Sequence, residues 1–206
     1  LVTTGDGSLI AEPFSVRKVN GVTVGVLGLA YPKTERTTAK KNVDTVAFQD
    51  PAATVKRFLP KMRDEGVEVI VLLSHLGLSG DKKLAGAVDG IDVIVGGHSH
   101  NRMTEAERVG NTLIVQAGAH GSDLGRLDLT IENGKLICHR RSLILLDHAT
   151  IPADPDAEKL LDRLTQPHRR TLDELVGKAG GWLVRAQTLA GQEARKRHEE
   201  SPIDSL

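Results

Sequence analysis

Apolar and polar positions follow one another along this chain in patterns that predict strands and helices. Residues 14–19 and 22–30 read as two strands joined by Asn20-Gly21, a dipeptide that strongly favours a two-residue hairpin turn. The second run, VTVGVLGL from Val22, is apolar almost throughout and is expected deep in a sheet. Asp50-Pro51 then supplies an N-cap followed by proline at the first helical position. Residues 52–65 place Ala52, Val55, Leu59 and Met62 on one helical stripe. Pro60 inside that stripe is expected to kink or divide the helix, and Gly66 ends it. Residues 1–11 have no period and read as loop. Residues 31–42, charged and rich in Thr and Lys, read as a solvated excursion, with a role at a site edge left open.

The central pattern runs from residue 67 to residue 100, VEVIVLLSHLGLSGDKKLAGAVDGIDVIVGGHSH. Two β-branched apolar runs, 67–73 and 91–95, each end in a loop that carries histidine, and residues 81–88 between them have a helical composition. A strand–helix–strand unit of this kind makes its strands parallel and sets their carboxyl ends side by side. Functional groups of open α/β sheets collect at that edge. His75, His98 and His100 are therefore expected to converge on one patch.

Residues 112–115 form another short strand, followed by the turn-rich QAGAHGSDLG. Residues 126–131 alternate apolar and polar positions, as a half-exposed antiparallel strand does, and Asn133-Gly134 turns the chain into a partner strand over 136–145. The fold expected is α/β with a mixed sheet, parallel in the middle and edged by hairpins. From Pro152 the texture changes. Asp154-Pro155 opens a helix with Ala157, Leu160, Leu161 and Leu164 on one face, Pro167 interrupts it, and residues 171–176 resume apolar spacing. GKAGGWLV then breaks the pattern, and residues 189–200 are polar. Two parts are expected: 1–151 with the sheet, and 152–206 as a helical connector.

Composition narrows the function classes. Lys plus Arg and Asp plus Glu both number 27, so no basic field draws a polyanion. Aromatic residues make up 2% of the 206 residues, which leaves few stacking surfaces for the bases of a nucleic acid. Cys138 stands alone, so no intrachain disulfide forms. No apolar run approaches the ~20 residues that span a bilayer.

His98-Ser99-His100 carries the sharpest chemistry. Two histidines at i and i+2, after a double glycine at the end of a buried strand, can face one side, and neutral imidazole is a common ligand for zinc, iron and manganese. A short motif of this kind also arises by chance in polar loops. His75 in SHLG, at the corresponding end of the preceding strand, makes chance a poorer account of all three.

SHLGLSGDKKLAGAVDGIDVIVGGHSH, followed by TLIVQAGAHGSDLGRLDLTI, resembles the later half of the catalytic domain of the 5′-nucleotidase/2′,3′-cyclic phosphodiesterase family, a branch of the calcineurin-like metallophosphoesterases. VNGVTVGVLGLAYPKT, FQDPAATVKRFLPKMRDEGVEVIV and the closing ESPIDSL resemble it too. The resemblance implies part of a four-layer sandwich and a site for two divalent ions of Zn, Mn, Mg or Fe type. His75 and His98 would ligate one ion and His100 the other. Ser99 packs the loop, Asn101 lies near the site edge, and His120 is expected beside the site or on the surface. His139, His148, His168 and His198 carry no implied role.

The family's Asp-x-His, bridging Gly-Asp and Gly-Asn-His-Glu patterns do not occur here. Gly5-Asp6-Gly7 echoes the second of them only superficially. The resemblance therefore implies a fragment, inactive alone, without the amino-terminal ligands and the carboxyl-terminal substrate domain, and with no catalytic residue of its own assigned. Its substrate would be a nucleotide or another small phosphate ester, and its family is one of exported proteins of the periplasm or cell surface. A thiosulfohydrolase of the sulfur-oxidation system, which also carries Gly-Gly-His-x-His, and a non-catalytic metal- or partner-binding relative are the other readings.

Overall fold

The hairpin turn at Asn20-Gly21 forms as the dipeptide requires, with both residues at positive φ (50° and 88°). It joins β2 (Phe14–Val19) to β3 (Val22–Leu29), which pair antiparallel. Before them lies β1 (Val2–Thr4). The structure, a computed structural model, describes residues 1–147 and 149–178. The expectations for residues 179–206, the closing ESPIDSL among them, and for His148 lie outside the described residues.

Residues 1–11, expected as loop, thus contain a strand. β1 pairs antiparallel with β4 (Val46–Phe48) in a small sheet of its own. Three residues on each side, more than forty positions apart, carry no period that a sequence pattern could show. Helix α1 (Pro51–Asp64) starts as expected, with the Asp50 carboxylate accepting from the Ala53 N–H at 2.8 Å. It runs as one helix through Pro60, which does not divide it. Pro60 and Lys56, whose carbonyl loses its helical donor there, are both exposed, so water can satisfy that carbonyl.

The strand–helix–strand unit is β5 (Val69–Ser74), α2 (Leu78–Ala87) and β6 (Val93–Val95). A short edge strand, β7 (Glu107–Val109), precedes β8 (Thr112–Val115). The main sheet has the order β2-β3-β5-β6-β8-β7. Its four middle strands are parallel and its two outer ones antiparallel. Hairpins lie at both edges as expected, β2–β3 at one and β7–β8 at the other. The hairpin expected over 126–145, β9 (Asp123–Glu132) with β10 (Lys135–Leu145), instead forms a separate two-stranded ribbon. Asn133-Gly134 still turns it, at φ 50° and 71°.

One face of the main sheet packs on both helices. Leu27, Ile70, Leu72, Ile94 and Ile114 share a core with Val55, Phe58 and Met62 of α1 and Leu84 and Ala85 of α2. The approach is close at Gly25, where a Cβ would lie 2.5 Å from the Met62 side chain. On the other face Val69, Val93, Leu113 and Val115 are buried, but the neighbours Leu73 (50% exposed) and Val95 (39% exposed) are open at the carboxyl end.

Two compact units divide at Ile151–Pro152. The second contains α3 (Pro155–Thr165), capped by the Asp154 carboxylate on the Asp156 and Ala157 N–H groups, and α4 (Arg169–Leu172). Leu160, Leu161 and Leu164 form the expected apolar stripe, yet all three are exposed. Among the described residues no helix is long and apolar enough to cross a membrane.

Candidate metal centre

The four parallel strands all run the same way, so their carboxyl ends form one edge. Tyr31 follows β3, His75 follows β5, the GGHSH loop follows β6, and Gln116 and the loop to His120 follow β8. Chain order alone scatters these residues over ninety positions. Parallel pairing gathers them.

His75 continues its strand: its N–H donates to the Leu29 carbonyl at 3.0 Å, which extends the ladder beyond Ser74. Its ring meets that of His98 edge to face, with centroids 5.1 Å apart and planes at 62°. Two imidazoles bound to one tetrahedral ion through ~2.0–2.1 Å bonds place their centroids roughly 5 Å apart, so the pair fits a shared divalent ion. Gly97 leaves room for it, since a Cβ there would stand 3.3 Å from His75 Nδ1. Tyr31 stacks on His98 at 4.2 Å and 24°. The loop 31–42, expected as a solvated excursion, therefore begins with a residue against the site. Nothing in its charged sequence marks that contact.

His100 turns to a different neighbour. Its ring lies 5.4 Å from that of His120, again edge to face. The one patch of three histidines expected from the sequence resolves into two pairs, His75 with His98 and His100 with His120. Among the described residues no group of three or more His, Cys, Asp or Glu side chains stands ready to hold an ion. The donor set is nitrogen only. His98, His100 and His120 all have positive φ (71°, 57° and 59°), a conformation that side-chain-bearing residues adopt at a cost and that clusters at functional sites.

Behind the rings lies a buried polar layer. Asp81 of α2 is fully buried and accepts from the Ser74 hydroxyl at 2.5 Å, while its Oδ2 has no partner. Burial pushes its carboxyl above the usual carboxylate range, against the opposing effect of the Ser74 bond. Gly96 makes the space, because a Cβ there would come within 2.5 Å of Asp81 Oδ2. Ser99 accepts from the Leu78 N–H at 2.9 Å and so ties its loop to the start of α2. Gln116, 2% exposed, reaches the same loop from the end of β8. Farther out, Arg102 forms a two-bond ion pair with Asp123, and Arg141 of the ribbon donates to the Met103 and Gln116 carbonyls. Asn101 donates its N–H to Gln116 and accepts from the Gly118 N–H. His139 sits on β10 and His168 in the helical unit, so neither follows a strand of the main sheet.

No family model matches the chain. It is 34% identical over 174 residues to the trifunctional nucleotide phosphoesterase protein YfkN of Bacillus subtilis (strain 168), an alignment that takes in 81% of this chain and 12% of that protein. Its fold is similar to that of the sulfate thiohydrolase SoxB of Thermus thermophilus, with a TM-score of 0.78, 28% identity, and coverage of 82% of this chain and 31% of that one. It is similar also to a 5′-nucleotidase precursor of Thermus thermophilus, with a TM-score of 0.73, 30% identity, and coverage of 84% and 37%. The chain thus spans between 12% and 37% of the length of these three.

Proposed function

The chain belongs to the 5′-nucleotidase-like metallophosphoesterases, and from that membership we propose that it contributes the histidine side of a two-ion site that hydrolyses phosphate monoesters of nucleotides. The observation that carries this reading is the His75–His98 pair, brought by two parallel strands to the separation of imidazoles on one ion. His75 and His98 hold that ion and His100 the other. The relatives supply the class of reaction: a nucleotide phosphoesterase and a 5′-nucleotidase precursor.

Divalent ions at such a site supply an activated water and positive charge against the phosphate oxygens during in-line displacement. The residues of this chain hold and orient. Tyr31 fixes the plane of His98 by stacking, the Ser74–Asp81 bond fixes the strand end that carries His75, and Gly96 and Gly97 let the loop approach. Two dications close together also need anionic ligands to offset their repulsion, and three imidazoles supply none. We place those ligands, and the groups that choose the nucleotide, in a longer protein of which this chain is part. The chain alone is then inactive. Export to the periplasm or cell surface goes with the same reading.

The likeness to sulfate thiohydrolase SoxB favours a second reading, a thiosulfohydrolase. One assay separates the two. The full-length protein, loaded with zinc or manganese, is offered a nucleoside monophosphate and an S-sulfonated thiol, R–S–SO3−, whose hydrolysis gives thiol and sulfate. Phosphate release alone supports the nucleotidase reading, sulfate release alone supports the second, and neither activity with metal bound leaves a metal-binding relative.

A further inference from the structure

We infer that Gln116 is the positioning residue that holds His98 and His100 in their ligating arrangement, an inference that rests on the metal reading above. The loop carrying them has an energetic problem. Both histidines sit at positive φ, which costs free energy for any residue but glycine, and such residues persist only where the surroundings over-determine them. The histidine rings are not buried, so core packing does not do this.

One buried amide does. Gln116 Nε2 donates to the Gly97 carbonyl at 2.8 Å, directly before His98. Its Oε1 accepts from the Asn101 N–H, directly after His100, and more loosely from the Ser99 hydroxyl at 3.4 Å between them. Among the described residues no other side chain bonds both ends of this loop. The Gln116 main chain is itself anchored, its carbonyl accepting from the Met103 N–H at 3.2 Å and from Arg141 Nη2 at 3.1 Å. Gly96 lets the amide in: a Cβ there would lie 3.2 Å from Nε2. An amide is the side chain that suits the task, since it offers a donor and an acceptor at once to a carbonyl and an N–H on either side. Left without it, the Asn101 N–H would be unpaired, the Gly97 carbonyl would keep only its bond from the Ser99 N–H at 2.9 Å, and the loop would be free to relax to negative φ.

The test compares Gln116→Met, nearly the same shape without the amide, with Thr112→Val at the start of the strand that leads to it. Thr112 is buried and donates to the Ile91 carbonyl at 2.8 Å, a bond of similar kind at the far end of β8. In the full-length protein, Q116M should bind zinc at least about tenfold more weakly than the parent, the scale of loss when groups that orient metal ligands are removed. T112V should lower Tm while its zinc affinity stays within about twofold. If Q116M does not fold, Gln116→Asn, one methylene too short to span both ends, should weaken zinc by about threefold or more. Zinc binding by Q116M or Q116N equal to the parent's, or T112V losing as much as they do, overturns the inference. A parent that binds no divalent ion defeats the metal reading instead. Amide hydrogen exchange of Asn101 then tests the clamp by itself: lost protection in Q116M supports it and unchanged protection overturns it.

Discussion

His75 and His98, twenty-three positions apart in the chain, meet edge to face with ring centroids 5.1 Å apart because β5 and β6 are parallel neighbours that end at the same level. Replacing either by alanine should remove one equivalent of divalent ion from the full-length protein, while His100→Ala should remove the other. Metal content measured after exhaustive dialysis distinguishes these outcomes. Loss of both equivalents in every variant would mean a single shared centre.

Tyr31 should matter by its ring and not by its hydroxyl. Tyr31→Phe preserves the 4.2 Å stack on His98, whereas Tyr31→Ala removes it. Aromatic pairs contribute about 0.5–1.5 kcal/mol, so Y31A should bind zinc between about twofold and about tenfold more weakly, with Y31F unchanged. Equal losses in both variants would assign the effect to the hydroxyl.

The strand–helix–strand unit and the hairpin turns were legible in the sequence because each is a local pattern with a period or a turn dipeptide, and the placing of His75, His98 and His100 after strand ends followed from them. Tyr31 and Gln116 were not. Tyr31 opens a charged loop and Gln116 follows a four-residue strand, and their roles arise only when parallel pairing brings the ends of β3 and β8 beside the GGHSH loop. The pairing of β1 with β4, and the separation of the β9–β10 ribbon from the main sheet, are likewise tertiary choices that alternation does not encode. The place of His100 in the loop after β6 was legible, but its contact with His120 depends on how two loops fold back.

Gly96 and Gly86 should respond in opposite ways to alanine. At Gly96 the new methyl meets Asp81 Oδ2 at 2.5 Å, so the variant should lose about 1–3 kcal/mol, as overpacked interiors do. At Gly86, inside α2, nothing lies within 4 Å of the new methyl, so the variant should gain about 0.5–1 kcal/mol. Urea denaturation measures both.

Asp81 gives the fold a pH dependence of known sign. Its carboxyl is raised by burial, so the neutral form suits the folded state better than the unfolded one. The stability this contributes is complete below the unfolded Asp value and is lost as pH rises through the raised folded value. Asp81→Asn, which keeps an acceptor for Ser74, should therefore gain stability relative to the parent as pH rises above the unfolded Asp value. A constant difference over that rise, measured by urea denaturation, would show that Asp81 does not titrate differently in the two states.

The open apolar pair Leu73 and Val95 should make the isolated chain self-associate, as an uncovered sheet face does. Sedimentation should show concentration-dependent oligomers, reduced by Leu73→Lys with Val95→Lys. A monodisperse monomer would mean that this face needs no further cover.

If the strand-end histidines hold divalent ions, metal analysis of the full-length protein should find them there. Two equivalents of divalent ion per chain are expected in the parent and no more than one in His98→Ala. A parent that retains no ion, or an H98A protein that retains as much as the parent, would contradict that reading.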